Sequence, residues 1–180
     1  MTPSADSDIT SARMDAGMPD YSDPDGDDFE ALSRDQVMVR TLTMDDLDAL
    51  VRIDKKLTGR DRRAYYEAKL REVIEESGIR VSVVAEVDGR PAGYIMARVD
   101  YGGFGQTEPM AVIDTIGVDP GLGKAGIGTA VLSQLMANLD ALRVEKVRTR
   151  VGWDNFGLQG FLASHGFQPA QQLVLRKVVT

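Results

Sequence analysis

Glycines crowd the stretch from 121 to 129, which reads GLGKAGIGT. The apolar, β-branched residues 112–118 that precede it predict a strand. Apolar residues then recur every four positions, which predicts one face of an amphipathic helix; they are Ile127, Val131, Leu135 and Leu139. The first N–H groups of a helix lack internal partners and carry partial positive charge, and glycines let an anion approach them closely. The segment therefore predicts a turn that binds phosphate or pyrophosphate.

Two common nucleotide-binding motifs do not explain this turn. A Walker A loop requires Ser or Thr after its Gly-Lys pair, and here Lys124 is followed by Ala125. A GxGxxG pattern can be placed on residues 121–126, but it belongs in the first βαβ unit, with an acidic residue about 20 positions later at the end of the second strand. This turn lies two-thirds along the chain, and Glu145 opens the next predicted strand.

A single acidic residue, Asp114, interrupts the apolar strand before the turn. Burying a carboxylate in an apolar strand is costly unless it has a partner or a chemical task. Two interpretations follow: Asp114 is a general base, or it lies at a strand bulge with hydrogen bonds to nearby backbone.

The turn resembles the coenzyme A turn of the GNAT acyltransferase superfamily, whose pattern is Gln/Arg-x-x-Gly-x-Gly/Ala. The segment 126–128 supplies the last three positions, and Val118-Asp119-Pro120 resembles the usual exit from the strand. Gly123 stands where the family has Gln or Arg. A second block agrees with the first, since Asn155 precedes Gly166-Phe167 by eleven residues, as in the Asn…Gly-Phe segment of the superfamily.

The resemblance extends from about Val37 to Thr180. It implies a GNAT fold, that is, an α/β domain with a twisted, mixed and mostly antiparallel sheet, splayed central strands and about four helices. It also implies acyl transfer from acetyl-CoA to a primary amine without a metal ion. A protein lysine or N-terminal amine is the favoured acceptor, and a small-molecule amine is an alternative. A non-catalytic acyl-CoA sensor is a second alternative, because Gly123 and Leu162 depart from the family pattern.

The resemblance also assigns site residues. The backbone N–H of Ile116 would bind the oxyanion. Asp114 would act as the base through a water molecule, and Glu108 is the second candidate for this role. Some relatives carry a glutamate at the position of Val112. Leu162 occupies the position of the tyrosine that serves as general acid in relatives. The residues that would contact coenzyme A are Ile116, Gly117, Val118, Gly123, Lys124, Ala125, Gly126, Ile127, Gly128, Thr129 and Asn155.

The elements that must position these residues follow from the hydrophobic pattern. The predicted strands are 37–42, 80–87, 90–100, 112–118, 145–151 and 172–179. Helices are predicted from Thr43 to Gly59, from 62 to 77, after residue 126 and within 153–164. Asp88-Gly89 predicts a hairpin, and Gly93 predicts a bulge or a close backbone approach. The resemblance implies that the two early helices form a wall of the acceptor cleft. Residues 101–106 are interpreted either as a loop over this cleft or as a mobile turn without contact to substrate.

Composition separates an acidic segment from the domain. Residues 1–36 contain ten acidic residues and two arginines, a charge of −8, so the other 144 residues carry +1 of the total of −7. With so few apolar residues, segment 1–36 is expected to be a disordered tail, and residues 37–180 the domain. The chain has no cysteine, no basic cluster typical of nucleic-acid binding and no long apolar run. We therefore expect a cytoplasmic protein that binds neither membranes nor nucleic acids. The sequence is compatible with a monomer and with a homodimer.

Overall fold

The computed structural model describes residues 37–76, 79–103, 106–122, 126–171, 175 and 177–178. Segment 1–36 and the loop residues Gly123, Lys124 and Ala125 lie outside these ranges. The strands are β1 (Met38–Thr41), β2 (Val83–Val87), β3 (Arg90–Gly103), β4 (Gln106–Val118) and β5 (Val147–Thr149). The α-helices are α1 (Leu47–Thr58), α2 (Arg63–Arg71), α3 (Ile127–Ala141) and α4 (Phe156–Ser164).

The five strands form one sheet in the order β1-β2-β3-β4-β5. Strands β1 to β4 pair antiparallel with their neighbours, and β5 pairs parallel with β4. The predicted α/β class with a mixed, mostly antiparallel sheet and four helices is thus confirmed. The β2–β3 hairpin is also confirmed: Asp88 and Gly89 have φ values of 52° and 69°, as a two-residue turn of the mirror-image type requires.

Helices cover both faces of the sheet and create two hydrophobic layers. The layer under α3 includes Ile95, Ile113, Ile127 and Leu135, all nearly inaccessible to solvent. The layer under α1 and α2 includes Leu50, Ile53, Tyr66 and Tyr94. The helix α1 ends where Gly59 adopts φ 70°, the left-handed cap that its sequence predicts.

Gly93 fulfils both predictions made for it. The pairing of β2 with β3 shifts between Ala85 and Glu86, so a bulge lies beside Gly93. A Cβ atom on Gly93 would lie 2.4 Å from Cγ2 of Ile127, so the first residue of α3 packs directly on this glycine. The absent side chain therefore sets how closely α3 approaches the sheet.

Several predicted boundaries are wrong. The loop expected over 101–106 is not found where the structure describes it, because β3 runs to Gly103 and pairs with Gln106 at the start of β4; residues 104 and 105 lie outside the described residues. The helix expected over roughly 62–77 is present from Arg63 to Glu76, but only Arg63–Arg71 is α-helical and Glu72–Glu76 is π-helical. Strand β5 has three residues instead of seven. The predicted last strand, 172–179, falls mostly outside the described residues; the three that are described, Leu175, Lys177 and Val178, are not in a strand.

Among the helices that the structure describes, none is long and apolar enough to cross a membrane.

Candidate active site

Strand β4 is paired with β5 over only a short part of its length. Its pairing with β5 covers three positions, from Ala111 opposite Val147 to Ile113 opposite Thr149. At the last paired position, the Thr149 hydroxyl donates a hydrogen bond of 3.0 Å to the Ile113 carbonyl. From residue 114 to residue 118, no strand among the described residues pairs with this edge of β4. Its backbone groups are therefore available to a ligand that binds as an added strand would.

A cleft of about 620 Å³ opens at this split. Strand β4 forms its floor, the start of α3 one side, the start of α4 a second side, and the α1–α2 connection a third. The structure brings together seven of the predicted site residues in its lining: Ile116, Gly117, Val118, Gly126, Gly128, Thr129 and Asn155. The remaining lining residues are Asp54, Leu57, Thr58, Arg62, Thr115, Leu158 and Phe161.

Backbone hydrogen bonds fix the turn between β4 and α3 at both of its ends. The Asp119 N–H donates to the Ala92 carbonyl at 2.8 Å, and the Asp119 carboxylate accepts the Gly121 N–H at 3.1 Å. At the other end, Gly126 adopts φ 70° and its carbonyl accepts the Ala130 N–H. A residue with a side chain is strained at that φ value. The turn thus presents the start of α3 to the cleft, where helix N–H groups lack internal partners.

The side chain of Ile127 does not contribute to the cleft, since it is 1% exposed and belongs to the core. Any contact that Ile127 makes with a ligand must use its backbone N–H. Gly128 permits another close approach, since a Cβ atom there would lie 3.2 Å from the Phe161 ring. The glycines at the start of α3 therefore serve packing as well as access.

The start of α4 completes the cleft opposite α3. Asn155 caps this helix, because its Oδ1 accepts the Leu158 N–H at 3.2 Å. His165, at the end of the same helix, contacts the Phe161 carbonyl through Nδ1 at 2.8 Å and the Thr129 hydroxyl through Nε2 at 3.2 Å. A neutral imidazole that donates from Nδ1 accepts at Nε2, so His165 orients the hydroxyl of a cleft residue.

Asp114 lies at a strand bulge, as one of the two interpretations of its position predicted. The register of β3 and β4 shifts between Met96 and Ala97, which leaves Asp114 as the extra residue of β4. Its partners are side chains and not backbone: one carboxylate oxygen accepts a hydrogen bond from Arg98, and the other lies 3.3 Å from the Lys69 ammonium. Asp114 does not line the cleft. Its role as base stays a prediction.

Glu108, the reserve base, lies at the exposed end of β4 and forms an ion pair with Lys146. Hydrogen bonding by Lys146 lowers the pKa of this carboxyl group. Leu162, the residue at the position of the missing acid, is 5% exposed and packs in the interior. It does not line the cleft.

A buried carboxylate on the third side of the cleft was not among the predicted site residues. The Asp54 carboxylate, 2% exposed in total, accepts hydrogen bonds from Nε and Nη2 of Arg62 and from the Tyr66 hydroxyl. The hydrogen bond from Arg62 lowers the pKa of Asp54, and burial opposes that shift only in part. One signal was available: Asp54 follows Leu50 by four positions and precedes Leu57 by three, within the apolar face of α1.

Comparisons with known proteins agree with this geometry. The family model described as "Acetyltransferase (GNAT) family" matches residues 46–167, well over half of the chain. No curated protein sequence matches this chain.

Solved structures with the same fold include the aminoglycoside 6'-N-acetyltransferase AAC(6')-Ih from Acinetobacter baumannii, with 18% identity, a TM-score of 0.67 and coverage of 80% of this chain and 99% of that one. Aminoglycoside acetyltransferase AAC(6')-Iy, solved with a bisubstrate analogue, has 14% identity, a TM-score of 0.67 and coverage of 80% and 99%. A transcriptional regulator from Bacillus halodurans C-125 has 16% identity, a TM-score of 0.67 and coverage of 79% and 99%. At these identities the likeness concerns the fold.

Proposed function

This chain belongs to the acetyltransferase (GNAT) family, and we propose that it acetylates a primary amine of a protein or peptide, either a lysine or an N-terminal amine. It is an acyl-CoA-dependent N-acyltransferase, and acetyl-CoA is its cosubstrate. The observation that carries the proposal is the split between β4 and β5, because the cleft there collects seven residues that the sequence assigns to coenzyme A binding.

The described residues provide what coenzyme A requires. The open edge of β4 offers the backbone groups of Ile116 and Val118 to the amides of the pantetheine arm, as an added strand requires, and Gly117 lies between them in the lining of the cleft. The N–H groups at the start of α3 suit the pyrophosphate, where Gly126 keeps Cβ atoms out of the way. In the proposal, Gly123, Lys124 and Ala125 complete this turn, and Asn155 contributes from α4.

Acetyl-CoA supplies an activated thioester carbonyl, and the protein must assist three changes around it. The acceptor amine must be neutral to attack, and a lysine with a pKa near 10.4 is neutral in only about one molecule of a few thousand at pH 7. The backbone N–H of Ile116 donates to the oxyanion that develops as the C–N bond forms. Asp114 takes the amine proton through water, and the C–S bond breaks to release a thiolate.

The leaving thiolate requires no acid at the position of Leu162. A thiol with a pKa near 8.5 lies about 1.5 units above pH 7, which corresponds to roughly 2 kcal/mol. Proton transfer from a placed acid typically contributes about 10²- to 10⁴-fold, so we expect a slower enzyme than one with a tyrosine there.

Charge on the acceptor side favours an acceptor that is not a polycation. Arg62 pairs with Asp54, and Lys69 pairs with both Glu72 and Asp114. The buried carboxylate Asp54 and the half-buried Asp114 are thus already paired with cations of the protein. A polycationic aminoglycoside would have to displace these cations, whereas a single neutral amine would not.

The test measures release of free thiol from acetyl-CoA with a panel of acceptors: lysine peptides, peptides with free N-termini, small amines and an aminoglycoside. We expect turnover with peptides and little with the aminoglycoside. Gly126→Asp is the inactive control, and Gly160→Asp is its matched counterpart, because nothing lies within 4 Å of a Cβ atom at Gly160. Binding of coenzyme A without turnover on any acceptor would contradict the proposal and favour a sensor.

Asp114→Asn separates the two roles of that residue. Loss of a base lowers kcat by about 10²-fold or more and leaves the affinity for coenzyme A unchanged. A purely structural role lowers the melting temperature instead, because Arg98 and Lys69 each lose one of their ion-pair partners, and leaves kcat close to that of the wild type.

A further inference from the structure

Four polar residues from four different elements meet beneath the floor of the cleft. The Tyr66 hydroxyl lies 3.0 Å from Oδ1 of Asp54 and 2.6 Å from the Tyr94 hydroxyl. Asp54, Tyr66 and Tyr94 are at most 2% exposed. The side chain of Thr115 lies beside both phenols: burial raises the pKa of each phenol, and a polar interaction with Thr115 opposes the rise. Of the four residues, Asp54 and Thr115 line the cleft.

The directions of these hydrogen bonds follow from the number of protons available. Asp54 is ionised by its pairing with Arg62, so it only accepts, and Tyr66 must donate to it. A phenol has one proton, so the short contact between the tyrosines requires Tyr94 to donate to Tyr66. Both phenol protons are then committed, so Thr115 can hydrogen bond to a tyrosine only as a donor, and it has one proton to donate. A Thr115 hydroxyl that donates in this way keeps its lone pairs for a hydrogen bond from a ligand.

The backbone of β4 is adapted to this arrangement. Tyr94 pairs across the sheet with Gly117, and Met96 pairs with Thr115, so Thr115 and Gly117 face the tyrosines together. A Cβ atom on Gly117 would lie 2.7 Å from the Tyr94 hydroxyl and ring. The tyrosine therefore fits only because position 117 is glycine.

We propose that Thr115 accepts a hydrogen bond from the acceptor amine at the reacting carbon, and that Asp54, Tyr66 and Tyr94 are positioning residues that direct its hydroxyl. This inference rests on the proposed function. Thr115 directly precedes Ile116, the proposed oxyanion donor, and both residues line the cleft.

The chemistry requires no proton transfer along the chain of hydroxyls. As the C–N bond forms, the nitrogen gains positive charge and its N–H donates more strongly to Thr115. The negative charge of Asp54 at the far end polarises each hydroxyl in the direction that favours this donation. The nitrogen proton leaves through water, and the electron pair of the C–S bond leaves with the thiolate.

A pair of variants at Thr115 isolates the hydroxyl. Thr115→Val has nearly the same shape but cannot accept the hydrogen bond, so we expect kcat to fall about 10- to 100-fold, the size of one hydrogen bond to a charged group. Thr115→Ser should restore most of the rate. Coenzyme A affinity by calorimetry and the melting temperature should stay close to those of the wild type in both variants.

A double-mutant cycle tests the positioning residues. Tyr94→Phe should lower kcat by about 3- to 10-fold, and Tyr94→Phe with Thr115→Val should be no slower than Thr115→Val alone, since both changes remove the same interaction. Tyr65→Phe is the matched control, because Tyr65 is partly exposed and adjoins Tyr66 without belonging to the chain; we expect a rate like that of the wild type.

A Thr115→Val enzyme with the rate of the wild type, or rate losses that multiply in the double mutant, would overturn this inference and leave the acetyltransferase proposal intact. A wild-type protein without turnover on any amine would overturn both.

Discussion

Gly93→Ala should weaken coenzyme A binding from a position beneath the cleft. The added Cβ atom would lie 2.4 Å from Cγ2 of Ile127, 3.3 Å from the Gly117 carbonyl oxygen and 3.4 Å from Cγ2 of Val118. Ordinary carbon–carbon contacts are about 3.5–4.0 Å, so Ile127 must move by roughly 1 Å. Because Ile127 is β-branched and 1% exposed, it has little freedom to rotate, and the first turn of α3 must shift instead.

Overpacking of this kind costs about 1–3 kcal/mol of unfolding free energy. The same shift moves the N–H groups at the start of α3, and weakening one or two of their hydrogen bonds lowers affinity for coenzyme A by about 3- to 30-fold. Urea unfolding measures the first effect, and calorimetric titration with coenzyme A measures the second. Gly157→Ala is the matched control, because no atom lies within 4 Å of a Cβ atom there and helix α4 should gain slightly from alanine.

A second substitution tests the stated cause. Ile127→Ala removes the clashing methyl group and costs about 2–5 kcal/mol by itself. In the double variant the clash is absent, so the combined cost should be smaller than the sum by about 1–3 kcal/mol. Additive costs, or a Gly93→Ala protein with the stability and affinity of the wild type, would refute the reasoning.

Three further changes have defined outcomes. Gly126→Asp should abolish coenzyme A binding in calorimetry while the fold persists in circular dichroism, because it adds strain at φ 70° and a negative charge where we propose that the pyrophosphate binds; unchanged affinity would exclude this turn as the binding site. Leu162→Ala should lose about 2–5 kcal/mol of stability and keep the alkaline limb of the pH–rate profile, whereas a stable variant without turnover would make Leu162 an active-site residue. Hydrogen bonds from Lys56 and the Gly121 N–H lower the pKa of Asp119, so its stabilising effect is complete above its unfolded value of 3.8 and is lost as pH falls through the lower folded value. As the pH falls from about 5 to about 3, the free energy of unfolding measured in urea should therefore decrease less in Asp119→Asn than in the wild type. An equal decrease in both proteins would refute this contribution of Asp119.

The sequence was sufficient for features that depend on neighbouring residues. The strand–turn–helix around 112–139, the hairpin at Asp88-Gly89 and the helix stop at Gly59 each follow from local backbone preferences, and all three are present. The two family blocks also depend only on residue order and spacing, so they predicted the fold and the cosubstrate before any coordinates. The same spacing identified Asn155, which lines the cleft.

Contacts between distant parts of the chain required the tertiary structure. The register of β3 and β4 decides that Asp114 lies at a bulge, and the packing of α2 on the sheet decides that Lys69 reaches it. Tyr101, Gly103 and Gln106 belong to paired strands, an outcome that the glycine-rich composition of this segment argues against. Asp54, Tyr66 and Tyr94 come from three separate elements, and hydrogen bonds join them because helices and sheet bury polar groups that must find partners in one another. Burial and register are properties of the whole fold, which is why spacing along the chain did not predict them.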